Sequence, residues 1–247
     1  MPEGPSIVIL KEELDAFKGK KVLEANGNSK IDIQSLINKK ITDIKSWGKH
    51  LLICFDNMYL RIHLLMFGSY RINEKKDTTP RLSMKFKAGE INFYNCSIKL
   101  IPGDPDDTYK WETDVMSDQW NSKIAEKKLA TLKKVKVCDV LLNQETFSGV
   151  GNIIKNEVLF RIKVHPESYV SALSPKKLKD LVKEAREYSW DFYKWKKKFE
   201  LRKHWLIYRQ KECPRCKIKT ITEYMGKTNR LTCYCSNCQK LYSTIKK

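Results

Sequence analysis

Residues 213–238 read CPRCKIKTITEYMGKTNRLTCYCSNC. Two C-x2-C pairs, Cys213/Cys216 and Cys235/Cys238, enclose 18 residues. Four thiolates at this spacing close one tetrahedral zinc site. With no open coordination position, such an ion is structural and does no chemistry. The enclosed residues predict two short strands turning at MGKTN (225–229), a β-hairpin finger too small for a core of its own. In comparable small units the metal contributes on the order of 10 kcal/mol. Cys233 lies one residue too close to Cys235 for a C-x2-C pair and is left outside the ligand set. Lys227 and Arg230 make the finger's turn basic, which suits phosphate or simple solvation.

Upstream of the finger the period is helical. DQWNSKIAEKKLATL, VCDVLLNQ, GNIIKNEVLFRI and SPKKLKDLVKEAREYSWDFYKWKKKF predict four helices between Asp118 and about residue 199. Ser174 and Pro175 open the last as N-cap and first helical residue. In FSGVGNIIKNEVLF (147–160), Gly149 and Gly151 stand just before a helix. Glycine permits close approach of another backbone, and the following N-terminus offers N–H groups to an anion. Asn152 adds a side-chain donor. A lone Gly-x-Gly turn is weak evidence by itself.

Earlier still the period changes to two. ITDIKSW, HLLICFD, MYLRIHLL, GSYRI, LSMKFK and INFYN, all before residue 102, predict an antiparallel sandwich or barrel. SIVILKEELDAF (6–17) predicts a preceding helix with Ile7, Ile9, Leu10, Leu14 and Phe17 inward. GDPDDTYKWETDVMS (103–117) reads as a linker. The expected fold class is α+β, with four parts: a β-sandwich with flanking helix over 1–102, the linker over 103–117, a helical domain over 118–204, and the zinc finger over 205–247.

The chain carries 48 Lys and Arg against 29 Asp and Glu in 247 residues, a net charge of +19. Such self-repulsion points to a polyanionic partner. A lysine-rich solvated surface is the plainer alternative. The apolar run near the N-terminus, IVIL, is four residues long, shorter than a secretory signal needs. No stretch approaches a membrane span. The expectation is an intracellular protein, in cytoplasm, nucleoid or nucleus, with no membrane partner. Its eight cysteines then serve as metal ligands or, at Cys54, Cys96 and Cys138, buried thiols.

Taken together, six segments resemble one family. They are MPEGP (1–5), WGKHLL (47–52), HLLMFGSYRI (63–72), GVGNI (149–153), LFRIKVHP (159–166) and NRLTCYCSNCQ (229–239). The chain is similar in order, over nearly its whole length, to the formamidopyrimidine-DNA glycosylase and endonuclease VIII family of bifunctional DNA repair enzymes. The resemblance implies an N-terminal sandwich, a helix–two-turns–helix domain and a zinc-finger hairpin, with damaged double-stranded DNA as partner and a monomer as the working form. It implies that Pro2, freed by loss of Met1, is the nucleophile: its secondary amine titrates near ~7.7–8.0 and is partly neutral at physiological pH. Glu3 would protonate the sugar ring oxygen. Lys49, Asn152 and Arg230 match phosphate contacts, and Met66 matches the wedge that fills the gap left by an everted nucleotide. Lacking that resemblance, Pro2 reads as a stiff cap and Met66 as strand core. Period-two alternation cannot place Leu64, Leu65, Met66 and Phe67 on one face, which favours an exposed tip.

Two stretches depart from the formamidopyrimidine branch. Where that branch has an Asp-Pro-Arg-Arg-Phe-Gly segment, this chain has FYNCSIKLIPGDPDD (93–107). Where that branch has a Gly/Thr-rich loop over oxidised guanine, this chain has YSWDFYKWKKKFELRKHWLIY (188–208), without glycine. Both point to the endonuclease VIII side and to oxidised pyrimidines. Trp190, Phe192, Tyr193 and Trp195 there line a base pocket or, the favoured reading, the packing face of the helix. A non-catalytic damaged-DNA-binding zinc protein is the alternative function, and an RNA-binding zinc ribbon a more distant one.

Overall fold

The computed structural model describes residues 2–243. The chain divides into two compact units, Met1–Lys110 and Trp111–Lys247.

The first unit opens with helix α1 (Gly4–Glu13), two residues earlier than the apolar period suggests. Pro5 in the first turn supplies a helical φ and lacks the N–H that would go unpaired there. Glu3 is the N-cap in extended conformation, and its carbonyl accepts from Ser6 N at 2.8 Å. Ile7, Leu10 and Leu14 recur at three- and four-residue spacing and are fully buried. Eight strands follow: β1 (Glu24–Asn26), β2 (Asp43–Trp47), β3 (His50–Phe55), β4 (Met58–His63), β5 (Ser69–Ile72), β6 (Leu82–Phe86), β7 (Gly89–Tyr94) and β8 (Ser97–Pro102). They form two four-stranded antiparallel sheets, ordered β1-β6-β7-β5 and β2-β3-β4-β8. Alternate residues Leu51, Ile53 and Phe55 of β3 join Leu82, Met84 and Phe86 of β6 in one core with α1. This is the expected sandwich with a flanking helix.

Two strands went unread in the sequence. β1 is three residues long, and only its central Ala25 is buried. β8 (SIKLIP) stands directly before the Pro-, Gly- and Asp-rich GDPDD and runs the full length of β4, from Ser97 opposite His63 to Pro102 opposite Met58. Cross-strand pairing, not local composition, makes both of them strands.

The segment read as a linker is ordered and divides between the units. Residues 103–110 lie along β2 and β3: Lys45 Nζ meets Asp106 at 2.7 Å, and Trp47 Nε1 donates to the Lys110 carbonyl at 3.0 Å. Residues 111–117 belong to the second unit, where Ser148 N donates to Thr113 O and Val115 N to Ser148 O.

The second unit contains α2 (Ser122–Thr131), α3 (Val137–Val140), α4 (Asn152–Arg161), α5 (Pro175–Lys197), β9 (Ile221–Met225) and β10 (Arg230–Tyr234). The four expected helices are present. Ser174 caps α5, its hydroxyl accepting from Lys177 N at 3.3 Å. The central α4 is buried on all sides from Asn152 to Phe160. A helix so enclosed must satisfy its polar side chains internally. It does so largely on the hairpin β9–β10, which packs on α4 within the same unit. Among the described residues no helix is long and apolar enough to cross a membrane.

Candidate functional site

In the first unit, Pro2 and Glu3 precede α1, and the Glu3 carbonyl accepts from the backbone N–H of Ser6 and Ile7. Pro2 is partly exposed, whereas Glu3 is fully buried. The cap geometry explains the placement. An extended Glu3 turns the chain away from the helix axis, leaving the residue before it outside regular structure. Met1 lies outside the described residues.

Lys49 sits in the two-residue turn that joins β2 to β3, where Trp47 pairs with His50. Gly48 has φ 54°, the left-handed value that a tight hairpin needs at its first central position. Helix α1 packs on the same two strands. Two imidazoles stand beside the turn. His50 and His63 are cross-strand partners with rings 5.4 Å apart. Burial, reinforced by the charges of Arg61, His63 and Lys49, pushes His50 down to about 4. His63 is lowered by burial and by Lys49 and Arg61. Tyr109 hydroxyl lies 3.3 Å from His50 Nδ1, and its ring packs on Trp47 at 5.0 Å. The sequence reading named Lys49 and overlooked this imidazole pair. The signal was there in the register, since His50 opens β3 and His63 closes β4 at the same end of one hairpin.

Met66 lies in the turn between β4 and β5. Leu65, Met66 and Phe67 are 49%, 49% and 79% exposed. Leu65 adopts φ 45°, and a Cβ on Gly68 would fall 1.8 Å from the Leu64 carbonyl oxygen. The backbone doubles back here, pressing Gly68 against Leu64 and thrusting three large apolar side chains outward. This is the exposed tip inferred from the failure of alternation.

In the second unit the structure brings Asn152 beside the finger. Asn152 is the first residue of α4 and is 5% exposed; its Nδ2 donates to the Leu231 carbonyl at 2.8 Å. Arg230, partly exposed, is the neighbouring residue at the start of β10. One helical turn further, Lys155 Nζ donates to Thr232 Oγ1 at 2.8 Å. Asn156 Oδ1 accepts from Cys233 N at 2.7 Å. Residues 152, 155 and 156 share one helical face, so α4 grips three successive residues of β10. Glu157 is wholly buried and accepts from the backbone N–H of Leu206, Ile207 and Tyr208 at 2.9–3.0 Å. Burial raises its pKa, against the pull of those three donors. The hairpin tip is also held, by Lys227 N donating to Asp139 Oδ1 of α3 at 2.7 Å. Sequence reading missed Lys155, Asn156 and Glu157, because polar residues along a helix ordinarily mark its solvent side.

The four sulfurs of Cys213, Cys216, Cys235 and Cys238 all lie within 4.8 Å of one another. Cys213 to Cys238 is 3.8 Å and Cys216 to Cys235 is 3.4 Å. Metal–sulfur bonds of ~2.3 Å in a tetrahedron place sulfurs about 3.8 Å apart. The donor set therefore fits a tetrahedral thiolate metal such as zinc. Cys233 stays apart: its sulfur accepts from Arg209 N at 3.4 Å. Cys54, Cys96 and Cys138 are buried thiols, as expected, with burial raising them to about 12, 11 and 11.

The aromatic run on α5 divides. Phe192 is buried in the core. Trp195 stacks flat on His204 at 4.2 Å and meets Tyr188 edge-on. Trp190 meets Tyr193 edge-on at 5.6 Å. Phe192, Trp195 and Tyr188 pack as a helix face does.

Residues 1–97 match the family model for the formamidopyrimidine-DNA glycosylase N-terminal domain, and residues 112–188 that for its H2TH domain. The chain is 33% identical over 228 residues to endonuclease 8-like 3 of Bos taurus, covering 88% of this chain and 38% of that protein. It is 30% identical over 259 residues to endonuclease 8-like 2 of Homo sapiens, covering 96% of this chain and 75% of that one. The chain thus spans well under half the length of the endonuclease 8-like 3 proteins it matches. A crystal structure of Lactococcus lactis formamidopyrimidine-DNA glycosylase, non-covalently bound to DNA containing an AP site, superposes with a TM-score of 0.84 at 23% identity, over 96% of this chain and 99% of that one. At that identity the likeness speaks for the fold. With both of its domain models matched in order and the four-cysteine cluster in place, the chain belongs to the formamidopyrimidine-DNA glycosylase and endonuclease VIII family.

Proposed function

We propose that this chain is a base-excision DNA glycosylase with associated lyase activity, acting through Pro2 on damaged duplex DNA. The observation that carries the reading is the pairing, in a member of this family, of a partly exposed Pro2 outside the helix with a wholly buried Glu3 next to it. With Met1 removed, the Pro2 nitrogen is a secondary amine. It adds to C1′ of the damaged nucleotide as the base departs. Glu3 delivers a proton to the ring oxygen, the sugar opens, and a Pro2 iminium forms. Loss of a C2′ proton into that electron sink expels the 3′ phosphate, and a second elimination expels the 5′ phosphate. Hydrolysis then frees Pro2.

Lys49, Asn152 and Arg230 hold phosphates around the everted nucleotide, and Met66 fills the space it leaves. The thiolate-bound metal, zinc in this reading, supplies only rigidity. Its four cysteines fix the ends of the hairpin that carries Arg230. The substrates are mainly oxidised pyrimidines. In support, β7 and β8 are joined by Asn95 and Cys96 alone, leaving no length for the arginine- and phenylalanine-bearing segment of the formamidopyrimidine branch.

Borohydride trapping on duplex DNA with an abasic site tests the mechanism. The expected result is a covalent adduct that survives denaturation and disappears in Pro2→Gly and in protein whose mass shows retained Met1. Correctly processed protein that forms no adduct would leave a non-catalytic binder of damaged DNA. Single-lesion oligonucleotides then test the preference for oxidised pyrimidines.

A further inference from the structure

Phe199 stands where helix α5 ends. The backbone there makes two capping bonds: Phe199 N donates to Lys196 O at 3.0 Å, and Glu200 N to Trp195 O at 2.9 Å. With Phe199 at φ 58°, this is a Schellman termination. The residue at its left-handed position is usually glycine, because a Cβ is strained there. Phenylalanine is a poor choice on backbone grounds. Packing does not justify it either, since Phe199 is 97% exposed. A turn with a left-handed, strained backbone therefore holds an aromatic ring out in solvent. Lys196, Lys197, Lys198, Arg202 and Lys203 around it are all exposed. The one acidic residue among them, Glu200, is taken up by Lys203 at 3.1 Å. In the preceding turn of α5, Trp195 stacks flat on His204.

A partner that rewards both features must carry dense negative charge and flat apolar faces. A nucleic acid strand with accessible bases does. We propose that Phe199 is a base-stacking contact for an unpaired nucleotide, with the surrounding lysines and arginine holding the flanking phosphates. The proposal rests on reading this chain as a nucleic-acid binder and is independent of the Pro2 chemistry.

The test compares binding of the full chain to a labelled mixed-sequence single-stranded oligonucleotide at one fixed salt concentration. Phe199→Gly is expected to bind on the order of tenfold more weakly. Its melting temperature should equal or exceed that of the wild type, because glycine relieves the left-handed strain. Phe199→Trp should hold affinity. Lys197→Ala should lower the slope of log affinity against log salt by about one, a slope Phe199→Gly leaves unchanged. Wild-type affinity in Phe199→Gly, or a lowered melting temperature in that variant, overturns the proposal. So does Phe199-dependent binding to phosphatidylserine vesicles with oligonucleotide binding unaltered. If the wild type yields no borohydride adduct but keeps Phe199-dependent binding, the glycosylase reading fails and this one stands.

Discussion

Met66 and His50 show how single residues of the first unit can be tested apart from the fold. Met66 projects from a turn whose shape is set by its neighbours: Leu65 in the left-handed region and Gly68 pressed on the Leu64 carbonyl. Met66→Ala should therefore leave the melting temperature unchanged. If Met66 fills the gap left by an everted nucleotide, excision of a paired damaged base should fall by on the order of tenfold, the equivalent of ~1.4 kcal/mol. Cleavage at a preformed abasic site should fall less, because no base has to be unstacked there. His50 bears on stability. Burial holds its folded-state pKa near 4, below the unfolded value of 6.5. The native state keeps the ring neutral where the unfolded chain takes up a proton. The contribution is thus complete above pH 6.5 and lost as the pH falls from 6.5 to about 4. Melting temperatures measured from pH 7 down to pH 4.5 should drop less steeply in His50→Gln than in the wild type. Equal slopes would show that the imidazole stays solvated.

At the scale of elements, the helix-to-hairpin joint of the second unit decides most. The sequence signals for α4 and the finger were separate: an apolar run after two glycines, and two cysteine pairs. What joins them is a polar face on a helix with no solvent side. Asn152, Lys155 and Asn156 hold β10, while Glu157 holds the backbone at Leu206 to Tyr208. Three backbone N–H groups, those of Ile207 and Tyr208 buried, depend on one carboxylate. Glu157→Ala should cost about 3 kcal/mol, the range for stranding buried donors that had a charged acceptor. Chemical denaturation would measure it, with metal content per chain staying at the wild-type value. A loss within error of zero would mean that water replaces the carboxylate without strain. The Gly48–Lys49 turn is the opposite case. Gly48 takes a left-handed φ between two strands that pair directly across it, so the geometry of that hairpin is a local property.

For the whole molecule, two quantities follow from composition and from metal content. The net charge of +19 makes nucleic-acid affinity a strong function of salt. With six to ten phosphate contacts, affinity should fall roughly 10³–10⁵-fold between 50 and 200 mM salt, and a flat salt response would remove the polyanion reading. Metal removal tests the finger. A thiolate site contributes on the order of 10 kcal/mol in small units, comparable to the ~5–15 kcal/mol stability of a whole domain. One metal ion per chain is expected, and stripping it with a chelator, or Cys238→Ser, should unfold the hairpin and expose β10 to rapid amide exchange. Protection of β10 retained without metal would show that α4 alone suffices. The sequence by itself determined the elements whose cause is local: the cysteine spacing, the capped start of α5, and strands with their own alternation. It also carried the family through motifs recurring in order. Only the tertiary structure decided that β1 and β8 are strands, that residues 103–110 stay with the sandwich, and that the polar residues of α4 are interior. In each case the deciding partner lies far away in the chain. The backbone bonds that β4 lends to β8, or the carbonyl that β10 offers to Asn152, appear in no window of local sequence.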